Sequence, residues 1–309
     1  QGVRTPDVIQ RAFGLPASEY DARYHAWEMQ KLARYKGQFI FRDHPVTVEE
    51  AKVRLAATPN DAAAHTALAL ALLHTRKVKE AQAEIDQALK LEPANMTAHY
   101  LGAKLTVDDP NVAKGHLEAI RSAGGDGFQV QMGLAELAEK RKDKPAMRAA
   151  FEAAYRFDPS QVEPLKGLYD LAKEDKRDAD SLDALRKIAQ LDQHDRKVWH
   201  LLLGRLVDAA QWDEAKKVGE SAMFVDVENA QVHTLYARAL AGTGAHDKAV
   251  YELESALLCD GSAKDTATAH ALLARELVAL RRGAEARPHL AEALKLDPQN
   301  ADAAAVKIP

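Results

Sequence analysis

The sequence predicts an all-α protein in which pairs of helices repeat along the chain. Proline and glycine are scarce, with 12 and 16 copies among 309 residues, so few positions interrupt a helix. Runs in which β-branched residues alternate with polar ones, the usual signal for strands, are few. The deciding observation is that similar segments recur every 34 residues, a period typical of helical repeat proteins.

Two segments show this period most clearly. Residues 62–95 end in LKLEPAN, and residues 267–300 end in LKLDPQN. Both carry alanine at repeat positions 20 and 27 and proline at position 32, which are Ala81, Ala88 and Pro93 in the first segment. Alanine lets two helices approach closely, and proline ends the second helix of the pair. Each repeat therefore predicts two packed helices, which we name A and B.

The same frame recurs between these two segments and predicts seven repeats. The predicted repeats are residues 62–95, 96–127, 128–161, 162–195, 196–229, 230–266 and 267–300. The second repeat is two residues shorter than the others, and the sixth carries an insertion of three residues. Because no repeat can bury its apolar face alone, the sequence predicts one continuous core along the stack.

Small and large residues at fixed positions of these segments resemble the tetratricopeptide repeat (TPR). Positions 4, 7, 8 and 11 hold His65, Leu68, Ala69 and Leu72 in the first repeat and His270, Leu273, Ala274 and Leu277 in the last. The resemblance covers residues 62–300. It implies a right-handed α-solenoid superhelix that binds a partner protein or peptide segment in its concave groove.

Residues 1–46 differ from the repeats because they are rich in aromatic side chains. These are Phe13, Tyr20, Tyr24, Trp27, Tyr35, Phe39 and Phe41. Thr5 is expected to cap a first helix that ends at Gly14, and Ser18 with Asp21 predicts a capping box for a second. An aromatic stripe at helical spacing indicates a face buried in a core. We therefore predict a helical cap over residues 1–46.

Two short segments flank the repeats. Residues 47–61 are predicted to contain a lone helix over Val48–Thr58, followed by a turn, that docks the array onto the cap. Residues 301–309 are predicted to form a tail. Repeat arrays usually finish with a polar capping helix, which this tail is too short to supply. Either an incomplete eighth repeat has been truncated, or this end packs on another copy of the chain or on another protein. Of these, we predict a homodimer through the C-terminal repeats.

Part of the cap is similar to a segment of known enzymes. The string AFGL at residues 12–15, followed by EYD at residues 19–21 and by Tyr24 and Trp27, resembles the end of the peptidase domain in bacterial gluzincin-type (peptidase-MA-like) TPR proteins. The likeness covers residues 4–41. It implies the alternative that this chain is the non-catalytic C-terminal region of a zinc peptidase, where it positions substrate or partner. The aromatic side chains would then face a missing domain.

Composition excludes several classes of function. The formal net charge of −4 argues against a nucleic-acid-binding protein, which needs a basic face. Cys259 is the only cysteine, so neither an internal disulfide nor a cysteine-based zinc site is predicted. The sequence has no apolar run long enough to cross a bilayer. The chain begins at Gln1 rather than Met, which indicates a mature form or a cut fragment of a cytoplasmic or, after removal of a signal peptide, periplasmic protein.

The histidines raise the question of a metal site. Four of the 12 occupy repeat position 4, namely His65, His99, His233 and His270. Packed helices lie about 8–10 Å apart, whereas zinc binds its ligands at about 2.1 Å, so one histidine per repeat cannot converge on one ion. We predict structural roles for them and neither a metal nor another cofactor. The HExxH zinc helix and other catalytic motifs are absent, and Glu136 with Glu139 fits a solvated helix face, so no catalytic residue is predicted.

The TPR resemblance implies that helix-A positions 2, 5, 9 and 12 line the groove. The candidate partner-binding residues at positions 5 and 9 are Tyr100, Lys104, Glu136, Lys166, Asp170, His200, Arg238 and Arg275. Four of them are cations, so we expect a protein or peptide partner with an acidic or mixed-charge extended segment. No repeat pairs Lys at position 5 with Asn at position 9, so a chaperone C-terminal carboxylate is not the expected ligand. An inner wall that is merely solvated is the other interpretation.

Overall fold

The computed structural model describes residues 4–44 and 46–308, and all regular elements in these residues are helices. The predicted all-α fold with repeated helix pairs is confirmed. Residues 1–3 and 45 of the predicted cap and residue 309 of the tail lie outside the described residues. The chain divides into two compact units, a first unit of Gln1–Gly167 and a second unit of Leu168–Pro309.

Two helices, α1 (Thr5–Phe13) and α2 (Ala17–Leu32), form the N-terminal part of the first unit. The predicted caps were wrong. Thr5 already lies inside α1, whose N-cap residue is Arg4, and α2 begins at Ala17 with Pro16 as its N-cap residue, so Ser18 lies within the first turn. Gly14 does end α1, in the left-handed conformation. Neither helix contains a buried residue, so the predicted burial of their aromatic stripe was also wrong.

A short 3₁₀ turn (Ala33–Tyr35) follows α2, and residues 38–44, which have no regular secondary structure, precede α3 (Val48–Ala57). The lone helix was thus predicted to within one residue. Thr47 and Glu50 form a capping box at its start, in which the Thr47 hydroxyl accepts from the Glu50 amide and the Glu50 carboxylate accepts from the Thr47 amide. Val48 and Ala51 pack against the first repeat.

Three helix pairs complete the first unit. They are α4 (Ala62–His74) with α5 (Val78–Leu91), α6 (Met96–Leu105) with α7 (Pro110–Ser122), and α8 (Phe128–Lys140) with α9 (Lys144–Phe157). Asp or Asn side chains cap α4, α6, α7 and α9 by accepting hydrogen bonds from free backbone amides of the first turn. In α5 the repeat alanines Ala81 and Ala88 and the larger Ile85 are fully buried. Burial at these three positions follows from the predicted repeat frame.

The boundary between the units falls within α10 (Glu163–Glu174), and eight further helices follow. They are α11 (Asp178–Leu191), α12 (Arg196–Asp208), α13 (Trp212–Val225), α14 (Ala230–Gly242), α15 (His246–Ala256), α16 (Ala263–Ala279), α17 (Gly283–Leu296) and α18 (Ala301–Ala305). Ser262 and Asp265 form a capping box that starts α16 early, so the three-residue insertion lies in its first turn. Part of the predicted tail is helical, because α18 buries Ala303 against Ala271 and Ala293.

Candidate partner-binding surfaces

In each unit the predicted partner residues belong to a surface that we call the helix-A face, which carries positions 2, 5 and 9 of the helices A. In the first unit this face is contacted by residues 38–43, which have no regular secondary structure. Phe39 is buried, Ile40 exposed and Phe41 partly buried, the alternation of an extended chain. Gln38 lies at one end of this segment. Its side-chain amide donates to the carbonyl oxygen of Phe157 at 3.1 Å, and its side-chain oxygen accepts from the amide of Phe128 at 3.2 Å.

Aromatic side chains hold the middle of the segment. The rings of Phe39 and Phe41 lie 5.4 and 4.8 Å from the ring of Tyr100, measured between centroids. The Phe41 amide donates to the side-chain oxygen of Gln129 at 2.6 Å. Tyr100, a predicted partner-binding residue, therefore contacts the chain's own segment. Burial and the nearby Glu136 carboxylate raise the pKa of the Tyr100 hydroxyl.

The charged candidates of the first unit largely neutralise each other. Lys104 Nζ lies 3.7 Å from the Glu136 carboxylate and 5.8 Å from the centroid of the Tyr100 ring. Lys166 is exposed on α10. The structure thus brings Tyr100, Lys104 and Glu136 together and leaves Lys166 as a solvated cation.

In the second unit the helix-A face contains a chamber of about 440 Å³. Arg238 and Arg275, both predicted partner residues, line it together with Trp212, His246 and Glu276. Glu276 is only 3% exposed, and its carboxylate accepts from Arg275 Nε at 2.9 Å and lies 2.7 Å from His246 Nδ1. This buried carboxylate fixes the orientation of the Arg275 and His246 side chains.

The other arginine of the chamber is bound by the C-terminal segment. Arg238 Nη2 donates to both carboxylate oxygens of Asp302 on α18, at 3.2 and 3.3 Å. Asp170 is exposed on α10 and His200 is half-buried on α12, and neither lines the chamber. The structure therefore joins two of the four predicted residues of this unit.

Sequence reasoning missed residues 38–43, Gln129, Glu276 and Asp302. One signal was present for the first of these, because Phe39-Ile40-Phe41 is a short run of aromatic and β-branched residues outside the predicted helices, a composition that favours extended structure. Asp302 follows the last repeat in an alanine-rich stretch, and nothing in its sequence neighbourhood indicates a contact with Arg238, 64 residues earlier.

The four histidines at repeat position 4 share one geometry. Each places a ring nitrogen against the side chain at the facing position of helix B: Glu84 for His65, His116 for His99, Glu252 for His233 and His289 for His270. In His65, His99 and His233 the other nitrogen lies 2.9–3.2 Å from a backbone carbonyl six residues earlier. The histidines thus join helix A, helix B and the preceding turn, and within the described residues no group of three or more metal-ligating side chains occurs.

The pKa is shifted in opposite directions at His233 and at His270. Burial acts to lower the pKa of His233, but the hydrogen bonds to Glu252 and Val227 outweigh it and the pKa is raised. Burial and the neighbouring His289 lower the pKa of His270, and burial lowers that of His289. His116 follows the same direction, through burial and His99.

We predict that His289→Glu reverses the pH dependence of stability at this pair. Because the pKa values of His270 and His289 lie below the ordinary value, this pair binds more protons in the unfolded chain, so its contribution to wild-type stability falls as pH drops from 7.5 to 5.5. A carboxylate at residue 289 would pair with His270 as Glu252 pairs with His233, a bond that strengthens as His270 protonates. As pH drops from 7.5 to 5.5, the Tm of the variant should rise by about 2–4 °C relative to that of wild type. This is the shift in Tm that a change of about 1 kcal/mol in the free energy of unfolding gives.

The exposed His194 supplies the control, because His194→Glu makes the same charge change outside any histidine pair. Thermal unfolding followed by circular dichroism measures all three chains. Equal pH slopes for His289→Glu and His194→Glu would contradict the prediction.

The structure also bears on the Cys259 thiol and on membrane spanning. Cys259 lies three residues beyond α15 and is half-buried, and burial together with Glu228 and Asp260 raises the pKa of its thiol. A raised pKa keeps the group protonated and poorly nucleophilic at neutral pH. Among the described residues, no helix has both the length and the apolar composition needed to cross a membrane.

The comparisons with known proteins agree with the repeat frame. Residues 103–162 match the family model of the tetratricopeptide repeat. The match covers 60 residues and assigns the tetratricopeptide repeat to this segment. No curated protein matches the sequence. The matched TPR segment includes α7, α8 and α9, which are three of the helices from which the first unit is built.

Solved structures similar to this chain include the MamA protein, at 17% identity, with 59% of this chain and 98% of that chain covered and a TM-score of 0.46. The match with PilF of Pseudomonas aeruginosa covers 83% of this chain and 96% of PilF, at 15% identity and with a TM-score of 0.40. The match with TTC0263, a TPR protein of Thermus thermophilus, covers 58% of this chain and 95% of TTC0263, at 21% identity and with a TM-score of 0.38. Because these TM-scores are below 0.5, the assignment of TPRs rests on the family model and on the repeated helix pairs.

Proposed function

We propose that the chain is a non-catalytic protein-interaction scaffold that binds an extended partner segment on the helix-A face of its repeats. The observation that supports this proposal is the binding of residues 38–43 on that face by backbone and side-chain hydrogen bonds and by aromatic contacts. A surface that holds an extended segment of its own chain has the acceptors and the apolar contacts that a partner segment needs.

The charges of the face favour a partner of mixed charge over a purely acidic one. Lys104 is paired with Glu136, Arg238 with Asp302, and Arg275 with Glu276. Each of these three cations therefore already lies close to a carboxylate. A partner is bound most favourably when its acidic groups contact these cations and its basic groups contact the carboxylates. Lys166 and Asp170 add one exposed charge of each sign.

The scaffold proposal predicts that charge reversal on the helix-A face weakens partner capture. The variant Lys104→Glu with Lys166→Glu, and separately Arg238→Glu with Arg275→Glu, should each reduce a specifically captured protein at least fivefold. The matched control is Lys90→Glu with Lys217→Glu, two lysines on helices B, which makes the same charge change elsewhere. Capture from lysate is quantified by mass spectrometry, and equal recovery by all three variants would exclude the helix-A face.

We also propose that the C-terminal repeats form a homodimer. Phe224 and Leu258 are 94% and 90% exposed, and with Val227 and Tyr251 they line a cleft of about 530 Å³ on the helix-B side of the second unit. Large exposed apolar side chains in one patch are uncommon on monomers and typical of interfaces. A second copy would bury them.

The dimer proposal predicts that Phe224→Glu with Leu258→Glu shifts the chain to monomer without changing its helicity. Sedimentation velocity measures the fractions of monomer and dimer at protein concentrations of about 1–100 µM, the range in which interfaces of modest affinity associate. Val53→Glu, at an exposed valine of α3, is the control. A wild-type chain that sediments as a monomer throughout would refute the proposal.

A second candidate function is that of the C-terminal TPR region of a gluzincin-type zinc peptidase. The supporting observation is the exposed aromatic face of α1 and α2, in which the rings of Phe13 and Tyr20 lie 4.8 Å apart and those of Tyr24 and Trp27 lie 5.8 Å apart. Phe13 is 58% exposed and Trp27 is 52% exposed. A peptidase domain packed on this face would bury them.

This candidate predicts that a gluzincin-type peptidase domain binds the chain through that face. Tyr24→Ala with Trp27→Ala should weaken binding at least tenfold in calorimetry, because buried aromatic residues dominate interface energies. Val78→Ala, an exposed apolar residue on α5, should leave binding unchanged. Equal affinity of both variants, or no binding by wild type, would argue against the peptidase candidate.

A further inference from the structure

We propose that residues 38–43, which we call the cis segment, are an intramolecular ligand that a partner peptide with the same side-chain pattern displaces. The pattern is an extended stretch with aromatic side chains at two alternate positions and a carboxylate two residues after the second. This inference rests on the proposed function and adds the chemistry of the partner. It concerns the first unit alone.

The alternation of the cis segment shows which side chains carry recognition. Successive side chains of an extended chain point to opposite sides. Phe39 is 8% exposed, Ile40 is 48% exposed, and Phe41 is again partly buried. Phe39 belongs to a cluster with Ile120 and Val130 on α7 and α8. Two aromatic residues separated by one residue of any kind therefore satisfy the apolar part of the site.

The backbone contacts of the cis segment can be reproduced by another peptide. The Phe39 amide lies 3.2 Å from the carbonyl oxygens of Gly125 and Asp126, and the Phe41 amide donates to Gln129. These donors are main-chain groups, which every residue except proline possesses. Gly127 permits the close approach, because a Cβ there would lie 3.0 Å from Gln38 Cβ and 3.3 Å from the Phe39 amide.

The C-terminal end of the cis segment adds charge selectivity. The Asp43 carboxylate lies 3.2 Å from His74 Nε2 at the end of α4. Both side chains are about half exposed, at 53% and 42%, so this contact orients the segment more than it stabilises it. A partner with a carboxylate at this position would make the same contact, and a partner with a basic residue there would not.

The stretch before the cis segment is held at one further point. Asp158, at the end of α9, accepts hydrogen bonds from Ser160 and Gln161 and interacts with the Tyr35 hydroxyl. Burial acts to raise the pKa of Asp158, but these hydrogen bonds outweigh it and lower the pKa. Since α1 and α2 contain no buried residue, displacement of residues 35–43 requires no disruption of their packing into the core.

The test adds the cis segment in trans as a labelled peptide, KGQFIFRDH, which is the sequence of residues 36–44. Fluorescence anisotropy measures its Kd for the full chain carrying Phe39→Ala and Phe41→Ala, and for wild type. A tethered ligand competes at an effective concentration of about millimolar, so the peptide should bind the double variant at least tenfold more tightly than wild type. The chain carrying Ile40→Ala should behave as wild type.

Peptide variants test the proposed pattern. The peptide with Phe41→Ala should lose at least tenfold in affinity for the double variant, and the peptide with Ile40→Ala should bind within twofold of the parent. Equal losses for the two peptides, or no binding by a double variant that unfolds cooperatively, overturns the inference.

A measurement on wild type keeps the test valid if the double variant does not fold. Hydrogen exchange followed by mass spectrometry should show that residues 38–43 of the chain lose protection when unlabelled peptide is added in excess. Unchanged protection at saturating peptide overturns the inference. The inference is also overturned if sedimentation shows dimers that persist in the Phe224→Glu variant and disappear in the Phe41→Ala variant. Such dimers would identify a second copy of the chain as the occupant of the site that residues 38–43 fill.

This experiment separates the inference from the proposed function. Lysate capture that depends on Lys104 and Lys166, together with no peptide binding by the folded double variant, leaves the scaffold in place and removes the cis segment as a ligand. The opposite outcome is that the peptide binds the double variant but lysate capture does not depend on Lys104 and Lys166. It supports the aromatic pattern and contradicts the proposal that the charged groups contact the partner.

Discussion

The close approach of helices at buried alanines is the constraint on which the rest of the structure depends. Ala81 and Ala88 in the first unit, and Ala215 and Ala222 in the second, are fully buried at the same repeat positions. A methyl group there allows helix axes to lie near the lower end of the usual range of about 8–10 Å. A larger residue would separate the helices and open a gap in a core that is packed like an organic crystal. The spacing of the helix-A face follows from these contacts.

That spacing explains why an extended segment fits the helix-A face of the first unit. An extended chain rises about 3.3 Å per residue, so three residues span about 10 Å, close to the separation of neighbouring packed helices. Residues 38–43 accordingly pass from the end of α9, at Phe157, over Tyr100 of α6 to His74 of α4. Backbone amides of the segment find acceptors at the α7–α8 turn and at Gln129 on the way.

The charged groups show how one repeat frame supports different electrostatics. Position 4 is histidine in four repeats, and each of these side chains contacts the facing residue of helix B. At His233 the hydrogen bonds to Glu252 and Val227 outweigh burial and the pKa rises, whereas at His270 burial and the neighbouring His289 lower the pKa. On the helix-A face, Glu276 and Asp302 similarly convert two isolated arginines into oriented pairs. Identical backbone positions therefore acquire different chemistry from a single substitution.

The sequence by itself determined the helix pairs, the buried alanines and the histidines of position 4, because each depends on contacts within one repeat or between neighbours. It also identified Arg238 and Arg275 as members of one surface. The positions of residues 38–43 and of Asp302 were decided only by the tertiary structure, since their contacts join segments that are between 31 and 119 residues apart. No local pattern encodes such a separation. The aromatic stripe of α1 and α2 has the helical periodicity of a core face, yet it stays exposed, because periodicity predicts an apolar face and not the surface that covers it.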